Sequence, residues 1–395
     1  MSRAEVGVYV HIPFCERVCP YCDFAVVGVR ELGAAQEQRT IDALLRELEG
    51  RRADFAGRTL ASLYFGGGTP SLCRPESLAR LAVAVHAAFP SVGPVETTLE
   101  VNPSSLERER LPGFRAAGVN RVSLGVQSFD DGVLKRLGRA HRADEARRTL
   151  RACREAGFDA LSLDLIFAAP GQSLGQLEAD LAETLEFGPE HVSAYELGIE
   201  SGTPFATAAA RGQLALPDED LALAMFDAIE AALTAAGFEH YEIANYARPG
   251  FPAVHNQRYW RRLPVLGLGP GAFSTDPTAA ETPFGVRRAN LRDHAAWLAR
   301  IEAGEAPEAT PPERLDAPTA RAEAMFLSLR TRRGVDAAAF AGEFGRPPRA
   351  FFEVAIEGLL AQALLRENAA GDLQLTGRGR RLSNEVFGHF VGGVS

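Results

Sequence analysis

The sequence predicts an α/β protein: an incomplete (β/α)6 barrel followed by a smaller, mainly helical C-terminal domain. Three observations carry this. Short apolar segments alternate with helix-patterned ones six times over about the first 200 residues, the signature of parallel βαβ units. The alternation stops near residue 201. The tail from 320 to 395 then holds mostly helical stretches. A doubly wound sheet is the alternative arrangement of the same units.

The elements follow in order. Residues 7–12 form a strand, 36–50 a helix, 59–65 a strand and 75–89 a helix. Next come a strand at 96–101, a helix at 104–118 and a strand at 121–126. Helices at 130–137 and 143–156 precede a strand at 159–167, a helix at 173–187 and a sixth strand at 191–197. A helix at 217–236 is followed by FEHYEIANYA and by a Gly/Pro-rich loop, PVLGLGPGAF at 264–273. The stretch 303–319, rich in Ala, Pro, Glu and Thr, reads as a linker or surface loop. Helices at 320–330, 336–344 and 349–366 and a hairpin-like LLRENAAGDLQLT complete a winged-helix-like tail. The expected division is a core barrel at 1–237, a connecting segment at 238–302 and a helical domain at 303–395.

Composition removes several functions. At about 100–200 residues per domain, 395 residues make two or three domains with ample core. A net charge of −9 argues against a nucleic-acid partner, because phosphate binding needs clustered positive charge. No apolar run approaches the ~20 residues of a membrane span, and the N-terminus lacks the form of a signal peptide, so a cytoplasmic location is expected. Membrane contact would come only through a partner. The sole lysine, Lys135, excludes a P-loop, which needs Gly-Lys-Ser/Thr.

Cys15, Cys19 and Cys22 fall within HIPFCERVCPYCDF, spaced C-x3-C-x2-C, directly after the first strand. Three thiolates do not complete a tetrahedral zinc site. On a [4Fe–4S] cube they leave one iron open. An open iron can take the amine and carboxylate of S-adenosylmethionine (SAM). Zinc and plain structural thiols are the alternatives. Cys73 and Cys153 sit on helical segments and read as small buried hydrophobes.

In parallel α/β barrels ligands gather at the C-terminal ends of the strands. There the chain places Gly66-Gly67-Gly68-Thr69, whose glycines permit close approach and would offer free amides. Glu100 and Asn102 end the third strand, Gln127 the fourth, with Arg139 one short helix later. Asp164 lies near the end of the fifth strand, Tyr195 and Glu196 at the end of the sixth. Carboxylates suit an amine and ribose hydroxyls, and an arginine suits a carboxylate.

The segments YVHIPFC-x3-C-x2-C, YFGGGTPS, TLEVNP, LGVQSF, LGRAH and DLIF together resemble the radical SAM superfamily. More narrowly they resemble the branch that holds oxygen-independent coproporphyrinogen III oxidases and a group of heme chaperones. HNQRYW at 255–260 and EAMFLSLR at 323–330 match later segments of that branch. The resemblance implies that Cys15, Cys19 and Cys22 ligate a [4Fe–4S] cluster. It implies that Tyr9, Tyr21, Gly67, Gly68, Thr69, Glu100, Gln127, Arg139 and Asp164 line the SAM pocket. It links His255, Asn256, Tyr259 and Trp260 to heme, with His255 as iron ligand, Tyr259 and Trp260 as the wall, and Arg258, Arg261 or Arg262 as propionate partners.

The oxidases of the branch carry a fourth cysteine two residues after the third and a longer N-terminal extension. Here Phe24 holds that position, and eight residues precede Tyr9. Both features point to the chaperone group, whose members bind heme and deliver it to acceptors such as respiratory proteins. The alternative is a coproporphyrinogen III dehydrogenase of porphyrin biosynthesis, an activity these features speak against. Phe273 departs from the histidine expected in GLGPGAFS.

Overall fold

The structure, a computed structural model, describes residues 1–391. Six strands run parallel and neighbour one another in chain order: β1 (Glu5–Ile12), β2 (Thr59–Gly67), β3 (Glu96–Val101), β4 (Arg121–Gln127), β5 (Ala160–Phe167) and β6 (His191–Glu196). Helices α1 (Ala34–Arg51), α2 (Pro75–Ala88), α3 (Ser105–Ala116), α4 (Asp131–Arg136), α5 (Ala143–Glu155) and α6 (Leu174–Phe187) supply the crossovers. The sheet stays open, because β6 does not pair back to β1. Its edges are extended instead by β7 (Glu239–Glu242) and β8 (Asn245–Ala247) beyond β6. Beyond β1 lie β9 (Val265–Leu268), β10 (Phe273–Asp276), β11 (Val286–Ala289) and β12 (Glu313–Arg314).

Alternation along the strands decides where the core sits. Val6, Val8, Val10 and Ile12 of β1, Leu63 and Phe65 of β2, Leu99 and Val101 of β3, and Leu161, Leu163 and Leu165 of β5 join Leu44, Leu81, Leu111, Leu150 and Leu181 of the helices in one apolar cluster. The intervening residues face the other way and are polar: Tyr9 and His11, Ser62 and Tyr64, Thr98 and Glu100, Arg121 and Ser123, Ser162 and Asp164, His191 and Ser193. Register keeps this polar set level across the sheet. Tyr9 pairs with Tyr64, Glu100 with Ser123, Ser123 with Ser162, and Asp164 with Ser193.

Several expectations change. PVLGLGPGAF is not all loop: Val265–Leu268 is a strand parallel to β1. Its Gly267 lies against the Phe273 carbonyl, where a Cβ has no room, whereas Gly269 and Gly271, at φ 97° and 69°, turn the chain into the next strand. FEHYEIANYA forms the hairpin β7–β8. The stretch 303–319 contributes the edge strand β12 and the start of the helix Ala317–Leu329. The long tail helix stops at Ala361, and Leu365–Glu367 pairs with Leu373–Leu375. HNQRYW lies on a helix, Val254–Trp260. Met325, Leu329, Val335, Phe340, Ile356, Leu359 and Phe390 of the tail form a second core of their own. Among the described residues no helix is long and apolar enough to cross a membrane.

Candidate functional site

The polar face of β2–β6 and the loop after β1 enclose a cavity of about 630 Å³. Cys15, Cys19 and Cys22 line its mouth, with Tyr21, Gly67, Gly68, Thr69, Glu100, Gln127, Arg139 and Asp164 around them. The exception among the expected lining residues is Tyr9. It lies behind the wall, its hydroxyl 3.2 Å from His11 Nδ1, and His11 Nε2 meets the Ala25 carbonyl at 2.9 Å.

Two of the three thiols are joined by side chains that follow the strand ends. Thr69 Oγ1 donates to Cys15 Sγ at 3.6 Å, and Arg139 Nη1 to Cys19 Sγ at 3.5 Å. Asn102 links the two donors: its Nδ2 donates to Thr69 Oγ1 at 2.8 Å, and its Oδ1 accepts from Arg139 Nη2 at 2.6 Å. Burial pushes the Cys15 thiol up to about 11. Ligation of a metal centre there therefore releases a proton. Among the described residues no three His, Cys, Asp or Glu side chains converge as they would around a single metal ion. A cubane asks for a wider spread, since each thiolate takes a separate iron.

The expectation of free amides at the glycine turn is corrected. Gly67 N donates to Glu100 Oε2 at 3.1 Å, Gly68 N to the Ile12 carbonyl at 2.8 Å, and Thr69 N to the Phe14 carbonyl at 2.7 Å. The glycines matter for space. Gly67 has φ 106°, and a Cβ there would stand 2.6 Å from His11 Nδ1. A Cβ on Gly68 would stand 2.6 Å from the Phe14 carbonyl oxygen, at the root of the cysteine loop.

Two carboxyl groups face the cavity. Glu100 accepts from Tyr64 Oη at 2.8 Å, and Asp164 accepts from Ser123 Oγ at 2.9 and 3.0 Å. Burial raises Glu100 to about 7 and Asp164 to about 6. Each is thus poised to ionise when a cation arrives. Arg139 keeps its Nε buried without a partner, a donor free for a carboxylate. The set fits an adenosyl amino acid: carboxyls for amine and hydroxyls, a guanidinium for carboxylate.

The segment HNQRYW is placed differently from the expectation. His255 is 1% exposed; its Nδ1 meets Ser62 Oγ at 2.9 Å and its Nε2 meets Tyr259 Oη at 3.1 Å. Its ring lies 5.1 Å from that of Tyr64. Burial lowers its pKa to about 3. Both ring nitrogens are engaged inside the core, which leaves none for a heme iron. Arg258 is fully buried on the carbonyls of Glu5 and Pro264, so it is not a propionate partner. The four residues linked to heme do not share one space. Tyr259 borders a small pocket with Phe273, and Trp260 an open cleft with Arg261, Arg332 and Arg333. Asn256 alone of the segment reaches the main cavity.

Sequence reasoning missed Thr98, Arg121, Ser123, Ser162, His191 and Ser193, all of which line that cavity. The signal was present. RVSLGVQ and HVSAYE alternate polar and apolar residues, whereas a parallel strand covered on both faces runs continuously apolar.

The family model for the radical SAM superfamily matches residues 9–184, and the model for the HemN C-terminal domain matches 315–382. The heme chaperone HemW of Bacillus subtilis is 33% identical over 396 residues, covering 98% of this chain and 99% of its own. That of Mycobacterium tuberculosis is 37% identical over 394 residues, covering 99% and 96%. Among solved structures, the coproporphyrinogen III oxidase HemN of Escherichia coli, described as a radical SAM enzyme, has the same fold: TM-score 0.83, 23% identity, 98% of this chain and 90% of that one. The chain belongs to the heme chaperone HemW family of the radical SAM superfamily.

Proposed function

We propose that this protein is a heme chaperone: it binds heme and hands it to acceptor proteins of respiration. The observation that carries this is the full-length match to heme chaperones in a chain whose cysteine loop holds three thiols and Phe24 where a fourth thiol would stand. The cofactors are those of the superfamily, a [4Fe–4S] cluster and SAM. Cys15, Cys19 and Cys22 would ligate the cluster. When bound, the cluster supplies one-electron chemistry and one open iron. Arg139 binds the SAM carboxylate; Glu100 and Asp164, ionised, take the amine and ribose hydroxyls. Tyr21 and Gln127 complete the wall. Gly67, Gly68 and Thr69 fix the loop that carries the thiols. The cytoplasm, where thiols stay reduced, is the proposed location. Residues 303–395 are read as a packing or partner-contact domain.

The test is anaerobic reconstitution followed by two assays on the same preparation. The expected result is about four irons and four sulfides per chain, saturable heme binding and no carbon dioxide from coproporphyrinogen III. Decarboxylation at turnover would replace this function with the dehydrogenase.

A further inference from the structure

The cavity extends well below the thiols. From Asn102 at its mouth to Thr98 on the same strand is four residues, about 13 Å at ~3.3 Å each. At that depth two buried side chains face the cavity with polar atoms that nothing in the protein satisfies. Arg121 is 5% exposed and Thr98 1% exposed. Arg121 Nη1 and Thr98 Oγ1 have no hydrogen-bond partner. The two residues are cross-strand partners of β3 and β4, so their side chains stand together on one face.

The guanidinium is already fixed. Its Nε lies 2.9 Å from Glu96 Oε2, and its Nη2 donates to the Phe251 carbonyl at 2.7 Å. Glu96 is held in turn by the His255 amide at 3.0 Å. This clamp leaves Nη1 without a hydrogen-bond partner, on a side chain that lines the cavity. Beside it His191 is bound at both nitrogens, to Ser162 Oγ at 2.6 Å and Tyr241 Oη at 2.8 Å. Burial and the charge of Arg121 hold His191 neutral, so the guanidinium is felt across the floor. An unpaired buried N–H or O–H is costly, and natural proteins rarely leave one. Here two sit side by side, and Asn256 borders the same cavity.

We propose that the floor between Thr98 and Arg121 is a carboxylate-binding subsite, separate from the SAM subsite at the strand ends. One carboxylate oxygen meets Arg121 Nη1 and the other the Thr98 hydroxyl. SAM does not supply this carboxylate, because its own is engaged at the mouth; that separation rests on the SAM assignment above. The group belongs to a second ligand, either a propionate arm of a tetrapyrrole or a small free acid.

The reconstituted, SAM-loaded full chain is titrated with sodium propionate, with hemin, and with hemin dimethyl ester, whose carboxyls are blocked. Sodium chloride at equal ionic strength is the control. Propionate is expected to raise the melting temperature beyond chloride, and Thr98→Val, which keeps the Arg121–Glu96 pair, to weaken propionate at least fivefold. Arg121→Gln should remove the effect; if it does not fold, Thr98→Val decides. Cluster absorption and SAM affinity report that each variant is intact. A tenfold preference for hemin over its ester, lost in Thr98→Val, assigns the carboxylate to a tetrapyrrole. A propionate effect without that preference assigns it to a small acid. Failure of hemin and ester alike to bind counts against the chaperone function and leaves the propionate titration to decide the subsite. No propionate effect with equal affinity for hemin and ester, or effects that survive in both variants, overturns the proposal and leaves water on these two groups.

Discussion

Asn102 is the side chain through which two of the three thiols are connected. It takes a hydrogen bond from Arg139 and gives one to Thr69, and each of these donates to a cysteine sulfur. Hydrogen bonds to cluster sulfurs favour the more negative, reduced state. Asn102→Leu should therefore leave iron content intact and lower the midpoint potential. A tenfold change in the reduction equilibrium is ~59 mV for one electron; a redox titration followed by EPR reads it, and an unmoved potential would reject the connection. Ligation itself is checked by substitution: Cys19→Ala should lose the cluster, whereas Cys73→Ala, at a fully buried extended position just before α2, should keep it. The carboxyls make a further claim. Burial raises Glu100 to about 7 and Asp164 to about 6, so both bind protons more tightly folded than unfolded. Their ionisation costs stability as pH rises from the ordinary carboxyl range through 6–7. A cationic ligand offsets that cost, so SAM affinity should rise between pH 6 and 7.5. Calorimetry on Glu100→Gln should show weaker binding and a flatter profile. At this scale the site was legible wherever a polar residue ended a strand. One or two turns of the pleat deeper it was missed, because Arg121 and Ser162 show only through the polar–apolar alternation of their strands.

Elements decide how those residues meet. The turn after β2 carries no ligand donors of its own; its amides are spent on Glu100 and on the end of β1. Its function is closeness. Gly67→Ala places a methyl into the His11 ring at a positive φ, a strain of roughly 1–3 kcal/mol. A lowered melting temperature together with reduced cluster loading is expected; unchanged loading would separate the turn from the thiols. The helix Val254–Trp260 packs against β2, with His255 between Ser62 and Tyr259. His255→Ala should cost about 2–3 kcal/mol through lost packing and two buried hydrogen bonds. Denaturant unfolding measures this, and the heme spectrum should not change. A shifted Soret band in a fully stable variant would return His255 to the heme site. The sequence linked this helix to heme because histidine beside Tyr and Trp suits heme as well as it suits an aromatic corner. Strand Val265–Leu268 was hidden for another reason: glycines that allow strand and strand to touch look the same as glycines that turn the chain.

Across the whole molecule, the six βα units were legible because each strand is apolar on its helix-facing side and each crossover has a helical period. The extension of the sheet on both edges was not. Its strands are four residues or fewer, too short for a period to show. The arrangement separates two environments. In the cavity under the cysteine loop, the cation of Arg139 stands with the carboxyl groups of Glu100 and Asp164. Outside it, Trp260 with Arg261, Arg332 and Arg333 borders an open cleft of about 910 Å³ between the sheet and the tail.

The central claim is that this chain carries heme for another protein. It is tested most directly by loading the anaerobically reconstituted protein with one equivalent of heme, removing the excess, and adding an apo-form of a respiratory heme protein. The acceptor's own Soret spectrum is followed with time. The account predicts that heme binds, stays bound through buffer exchange and then appears in the acceptor. Heme that fails to bind, or that binds and never reaches any acceptor offered, would contradict it.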